Sequence, residues 1–313
     1  LTGVTAIAAG AYHNLALKSD GTVVAWHETP ANTNVGALQP PPGLNGVISI
    51  SQGATHAGAV TSDGHVRVWG TGPGVNIPPE FQSCYSEKVI YLPDSYQVND
   101  RMRLISDKQF TRQELGLPSD GFVFCCFNQT FKITPAVFDV WCRLLSSIPN
   151  SILWLLASNP FAEQNLKREA ETRGVDPSRL VMAPTLKPIQ HLARMQCADL
   201  FLDTTPINAG VTCCDALWMG LPIVTLAGEN SSSRMAGSML SALGVPELIT
   251  YSPADYHDLA MRLATNRNQL RSIREKIIAN RDTAPLFDSV LFTRNLESEY
   301  VRLVDQARAT SQR

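Results

Sequence analysis

Three short stretches of this chain carry side chains suited to holding an anion with a ring attached. Gln129 and Lys132 stand in "FNQTFKI", His191 and Arg194 in "HLAR", and Gly210, Val211 and Thr212 in a loop that runs into Asp215. Lys132 and Arg194 supply positive charge and His191 a ring. Asp215 supplies an acceptor suited to sugar hydroxyls. A loop entering a helix adds backbone donors, because the first N–H groups of a helix lack partners within it and its dipole favours an anion there. The Thr212 hydroxyl is a further donor. No Gly-x-x-x-x-Gly-Lys and no Gly-x-Gly-x-x-Gly is present, which disfavours a P-loop NTPase and a dinucleotide-dependent dehydrogenase.

Plainer roles fit the same residues. Gln129 and Lys132 also suit a solvated loop. His191 on a short helix also suits a surface or a satisfied core position. Asp215 also suits dipole stabilisation near a helix start, and Thr212 a simple N-cap. Residue types and spacing alone reach an α/β domain with a candidate anion site.

The elements that must position these groups follow from the apolar pattern. "FVFCCFN" (Phe122–Asn128) is an unbroken apolar run, as in a strand buried on both faces. "TPAVFDVWCRLLSSIP" reads as a helix with Thr134 as N-cap and Pro135 in its first turn. "SILWLLA", "RLVMAP", "DLFLDT" and "PIVTLAG" read as further strands, and "AEQNLKREAETRG", "IQHLARMQ" and "TCCDALWMG" as helices between them. "KVIYLP" is a strand candidate ahead of this series, and the tail beyond "ADYHDLAMRLATN" is helical. Alternating strands and helices predict a mainly parallel sheet. Ligands in such sheets sit beyond the carboxyl ends of the strands. Asn128, Gln129 and Lys132 follow one strand; Lys187, His191 and Arg194 another; Asp203, Thr204, Thr205, Asn208 and the loop a third.

The first part of the chain is different. "GVTAIAAGAYHNLALKSDGTVVAWH" from Gly3 repeats as "GVISISQGATHAGAVTSDGHVRVWG" from Gly46. Gly10 pairs with Gly53, His13 with His56, Asp20-Gly21 with Asp63-Gly64 and Trp26 with Trp69. Each unit reads as short strands hinged on a Ser-Asp-Gly turn. The period and the Gly, His and Trp positions resemble RCC1-type propeller repeats. The expected division is residues 1–71 as two RCC1-like β repeats, 72–84 as a Pro/Gly linker and 85–313 as the α/β part.

Composition adds bounds. With 26 basic and 28 acidic residues in 313, nothing points to nucleic acid as a partner. No apolar run reaches membrane-spanning length, so no membrane is expected. The seven cysteines show no C-x-x-C spacing, which argues for reduced thiols, no metal and a cytoplasmic setting.

The ordered blocks "YSEKVIYLPDSYQVNDR", "GFVFCCFNQTFKITPAVFDVW", "HLARMQCADLFLDT", "DALWMGLPIVTLAGE" and "SRMAGSMLSALGVPELI" resemble the C-terminal catalytic part of protein O-linked N-acetylglucosamine transferases, nearest the bacterial, SPINDLY-like branch. The resemblance implies the Rossmann-like C-terminal lobe of a GT-B glycosyltransferase, behind a small all-β fragment of RCC1-like repeats. It implies UDP-N-acetylglucosamine as donor substrate, no cofactor, and inverting transfer to Ser or Thr hydroxyls of a protein acceptor. By position, Gln129 and Lys132 would hold the phosphates and His191 and Arg194 the uracil. Gly210, Val211 and Thr212 would cradle the diphosphate, and Asp215 would take the ribose. The family's His-Thr-Thr in that loop is Gly210, Val211 and Thr212 here. Nearly all of the family's N-terminal lobe is without a counterpart, so no catalytic base is assigned and transfer by this chain alone is expected to be very low. The alternatives are a non-catalytic UDP-sugar-binding remnant, an RCC1-type interaction module, and a GDP-fucose-dependent transferase. Oligomeric state is left open.

Overall fold

The computed structural model describes residues 2–9, 14–26, 40, 43–52, 56–63, 66–70, 76–78, 82, 84, 89–157 and 159–311. Gly10, His13, Gly53, Gly64 and most of the 72–84 stretch lie outside them, as does the side chain of His56. The chain divides into two compact units, residues 103–237 with 247–279, and residues 1–102 with 238–246 and 280–313.

The first of these units holds a six-stranded sheet. Its strands are β7 (Phe122–Cys126), β8 (Ser151–Leu156), β9 (Leu180–Ala183), β10 (Leu200–Leu202), β11 (Ile223–Leu226) and β12 (Ile249–Thr250). All pairs are parallel, in the order β12-β11-β10-β7-β8-β9. This is the Rossmann order, with its switch point between β7 and β10. β7 is wholly buried, as its unbroken apolar run requires. α1 (Pro135–Ser147) joins β7 to β8, and α2 (Pro160–Thr172) joins β8 to β9. Thr134 caps α1 by accepting from the Val137 N–H, with Pro135 at the first position as expected. α3 (Pro188–Arg194), α4 (Val211–Trp218) and α6 (Pro253–Thr265) complete the elements used below, with α5 (Met235–Ala242) and α7 (Arg267–Arg281) between and beyond them. Trp218 and Met219 are core. Gly220 turns the chain from α4 into β11 at φ +71, where a Cβ would meet Ile278 at 2.8 Å.

At the amino ends of the strands Arg112 acts as a staple. It donates to the Cys197 carbonyl, the Gly121 carbonyl and the Asp199 carboxylate (3.1, 3.2 and 2.8 Å), and Asp199 accepts from the Val123 N–H. That pole is consumed by structural bonds. The polar groups at the carboxyl ends are the ones placed for a ligand.

The second unit holds two three-stranded antiparallel sheets. One is β1 (Val4–Ala9), β2 (Asn14–Lys18) and β3 (Val23–Trp26); the other is β4 (Val47–Gln52), β5 (His56–Thr61) and β6 (Val66–Gly70). Each repeat is thus one small sheet, and the Gly21 N–H donates to the Lys18 carbonyl in the first turn at φ +76. Leu15 and Leu17 from one sheet and Val47, Ala57 and Ala59 from the other share a core. Residues 89–93, expected as a strand within "KVIYLP", are not one; they open an irregular stretch. Pro93 has no N–H for a ladder. Ser95 and Asn99 spend their side chains on the Gln97 backbone, and Asn99 also donates to the Leu286 carbonyl (3.1 Å). α8 (Ser289–Ser311) ends the chain, with Asn295 donating to Asp94. Among the described residues no helix is long and apolar enough to cross a membrane.

Candidate nucleotide-sugar site

The residues just past β7 and β10 meet at the switch point. Asn128 donates through its side-chain amide to Asp203 (3.1 Å) and Thr204 (2.7 Å), and its Oδ1 accepts from the Thr212 hydroxyl. Asp203 is fully buried and also accepts from the Thr204 N–H, the Ala209 N–H and the Thr225 hydroxyl (2.8, 2.7 and 2.6 Å). Burial pushes its carboxyl up to about 6, against the pull of those four donors. Behind it the Trp141 indole donates to the Tyr256 hydroxyl, which donates to the Asp203 carbonyl (3.1 and 3.0 Å), tying α1 and α6 to the same loop. The loop 203–210 is therefore held from inside before any ligand arrives.

Lys132 is half-buried and donates to the Asn208 carbonyl at 3.0 Å, so its ammonium lies against the loop that leads to α4. Gln129 beside it is exposed. Gly210 is the N-cap of α4 and offers no side chain to the helix start. The N–H groups of Val211 and Thr212 head the helix without intrahelical partners. Thr212, read as a possible N-cap, instead bonds Asn128.

On α3 the two predicted residues differ. Arg194 is fully buried, its guanidinium over the Phe127 and Trp154 rings (5.2 and 5.7 Å). It donates to the Pro184 carbonyl and, through Nε, to His191 Nδ1 at 3.0 Å. Arg194 thus acts at the rim through His191. Burial and then the Arg194 charge lower the imidazole to about 4, so His191 is neutral at pH 7 with its proton on Nε2. That leaves an N–H donor and a ring edge for a ligand, and Phe127 fixes the ring in an edge contact at 5.1 Å. Lys187 is exposed at the start of α3.

Asp215 is buried one turn into α4 and pairs with Arg103. Burial raises its carboxyl and Arg103 opposes this. Sequence reasoning missed Arg103, since no periodicity links positions 112 apart. A separate cavity of ≈ 430 Å³, walled mainly by Val137, Val140, Leu226 and Tyr256, opens between α1 and α6; of the polar residues expected at the strand ends it includes only Thr205.

The glycosyl transferase family 41 model matches residues 108–296, well over half of the chain and all of this site except Arg103. The chain belongs to glycosyl transferase family 41. The RCC1 repeat model matches residues 4–26, in the first small sheet. Among family 41 relatives, the probable UDP-N-acetylglucosamine–peptide N-acetylglucosaminyltransferase SEC of Arabidopsis thaliana is 35% identical over 232 residues, covering 72% of this chain and 24% of that protein. The corresponding transferase of Caenorhabditis elegans is 40% identical over 187 residues, 60% of this chain and 16% of its own. A probable SPINDLY transferase of Petunia hybrida is 31% identical over 229 residues, 71% of this chain and 24% of its own. A solved Thermobaculum terrenum O-GlcNAc transferase mutant superposes with a TM-score of 0.69 at 30% identity, over 77% of this chain and 45% of that one. The fold is the Rossmann-like lobe of a GT-B family 41 enzyme. The chain spans about a quarter or less of the length of these curated relatives.

Proposed function

We propose that this chain carries the donor-binding lobe of a protein O-GlcNAc transferase and binds UDP-N-acetylglucosamine at the β7/β10 switch point. The carrying observation is the loop held by the Asn128–Asp203 bonds, with Lys132 on its outer side and the start of α4 at its end. Its relatives, named as UDP-N-acetylglucosamine–peptide N-acetylglucosaminyltransferases, support the donor and a peptide acceptor. In this reading Gln129, Lys132 and the Gly210–Thr212 N–H groups take the diphosphate. His191, aimed by Arg194, takes the base, and Asp215 the ribose.

In the inverting reaction a Ser or Thr hydroxyl of the acceptor attacks the anomeric carbon from the face opposite the diphosphate. The bond from that carbon to the phosphate oxygen breaks and the electron pair leaves on UDP. The hydroxyl proton passes to a base that no residue of this chain is assigned to supply. Lys132 and the α4 N–H groups stabilise the charge that grows on the departing diphosphate. None of the seven cysteines is in a disulfide and six of them are buried, which supports a reducing, cytoplasmic setting. We assign residues 85–313 to the transferase part and 1–71 to the repeats.

Calorimetric titration of the purified chain with UDP, UDP-N-acetylglucosamine and GDP-fucose tests this. Binding of both uridine nucleotides and not of GDP-fucose is expected. Preference for GDP-fucose, or no nucleotide binding, would refute the donor assignment.

A further inference from the structure

Arg103 has no part in the anion-binding scheme above, yet its guanidinium reaches Asp215 across 112 positions of sequence. The pair is largely enclosed, with side-chain exposures of 24% and 12%. Just beyond, the Ser106 N–H donates to the Ile189 carbonyl at 3.4 Å, two residues before His191 on α3. The segment 103–106 is therefore pinned at one end to the helix of Asp215 and at the other to the helix of His191. Leu104, next to Arg103, is 77% exposed, so the segment sends its cation inward and an apolar side chain out. Arg103 engages one carboxylate oxygen of Asp215, Oδ1. A carboxylate offers about four acceptor sites on two oxygens, so Oδ2 remains for a ligand.

We propose that Arg103 is a positioning residue for the ribose: it grips one oxygen of Asp215, aims the other at the sugar hydroxyls, and braces the 103–106 strap between α3 and α4. The inference rests on the donor-site reading above. It follows from the chemistry of a buried acid. A carboxylate accepts from two hydroxyls only while ionised and held in one rotamer. The groups facing Asp215 are Arg103 from the strap and the Cys213 thiol on its own helix. Arg103 is the cation among them. Without it, burial drives Asp215 toward its neutral form and frees its rotation.

The test is titration of the full chain with UDP and with 2′,3′-dideoxyuridine diphosphate between pH 5.5 and 8. Wild type, Arg103→Met and Arg103→Lys are compared. The wild-type chain should prefer UDP by roughly tenfold or more, the size of about one hydrogen bond to a charged acceptor. Arg103→Met should reduce that preference to within about threefold and leave the dideoxy affinity within about threefold of wild type, which also reports an intact fold. Its UDP affinity should fall off at a higher pH than that of wild type, and Arg103→Lys should recover part of the preference. An Arg103→Met chain with the full ribose preference and an unmoved pH profile would overturn the inference alone. So would one that binds UDP more tightly than wild type, since the strap would then be a barrier. Absence of UDP binding by the wild-type chain would overturn the donor reading and this inference together.

Discussion

Lys132 is the residue on which the candidate site depends most. It is the cation that touches the loop leading into α4, through the Asn208 carbonyl. In the proposed site, replacement by Ala would remove one charge-assisted bond to phosphate, worth roughly 1.5–3 kcal/mol. UDP affinity should weaken by about one to two decades, measured by calorimetry; equal affinities would place the phosphates elsewhere. A second residue-scale prediction concerns pH. Asp203 is raised from 3.8 to about 6 by burial, so the folded state holds its proton longer than the unfolded state does. Its contribution is therefore present below pH 4 and lost as pH rises through 6. His191 is lowered from 6.5 to about 4, so it releases its proton earlier when folded, and its contribution grows as pH rises from 4 to 6.5. Each amounts to about 3 kcal/mol at about 1.4 kcal/mol per unit, with opposite sign in nearly the same window. Denaturant unfolding of wild type should be almost flat there as far as these two groups act. Asp203→Asn should gain stability from pH 4 to 6.5 and His191→Gln should lose it. Parallel profiles for all three proteins would rule out the opposed shifts.

At the scale of elements, the loop between β10 and α4 is held from behind by two helices. The bonds run from Trp141 on α1 to Tyr256 on α6 and on to the Asp203 carbonyl. Tyr256→Phe keeps the ring and its packing. It deletes the donor to Asp203 and strands the buried Trp141 N–H. The expected loss is roughly 1–3 kcal/mol in chemical unfolding, with UDP binding weakened several-fold because the loop is less fixed. Unchanged stability would mean that Trp141 and the Asp203 carbonyl find other partners. The element boundaries in this region were legible in the chain itself. Thr134-Pro135 announces α1, and Gly220 ends α4. "KVIYLP" was misleading, because an apolar run becomes a strand only where another strand accepts its ladder bonds. The side chains at 95 and 99 hold the backbone just after it in turns.

For the whole molecule, two expectations follow from the division of labour. The small sheets share a core made from their own residues, Leu15, Leu17, Val47, Ala57 and Ala59. Deleting residues 1–79 should therefore leave a cooperative thermal transition and UDP affinity within about threefold of the full chain; loss of both would show that the repeats are integral. Binding and turnover should also separate. The groups proposed for UDP are present, but transfer also needs an acceptor hydroxyl held in line and a base. Gly210 and Val211 in the diphosphate loop bring no side-chain donor. Mass spectrometry of a Ser/Thr peptide incubated with the purified chain and UDP-N-acetylglucosamine should show little or no added sugar, and robust glycosylation would refute this.

The sequence by itself determined the alternation of β7 to β11 with their helices, the repeat at the start, and the families both resemble. These are local properties: apolar period, caps, turn residues and ordered motifs survive in one dimension. It also singled out Lys132, His191, Thr212 and Asp215, because each stands just past a strand or at a helix start. What Arg194 and Arg103 do was decided only in the tertiary structure. Arg194 read as a cation for the ligand, but packing between Phe127 and Trp154 buries it and turns it onto His191. Arg103 drew no notice in the sequence at all, and only the packing of its segment against α4 sets it on Asp215. A side chain's burial and its partner depend on which distant segments fold against it, and spacing along the chain carries no record of that.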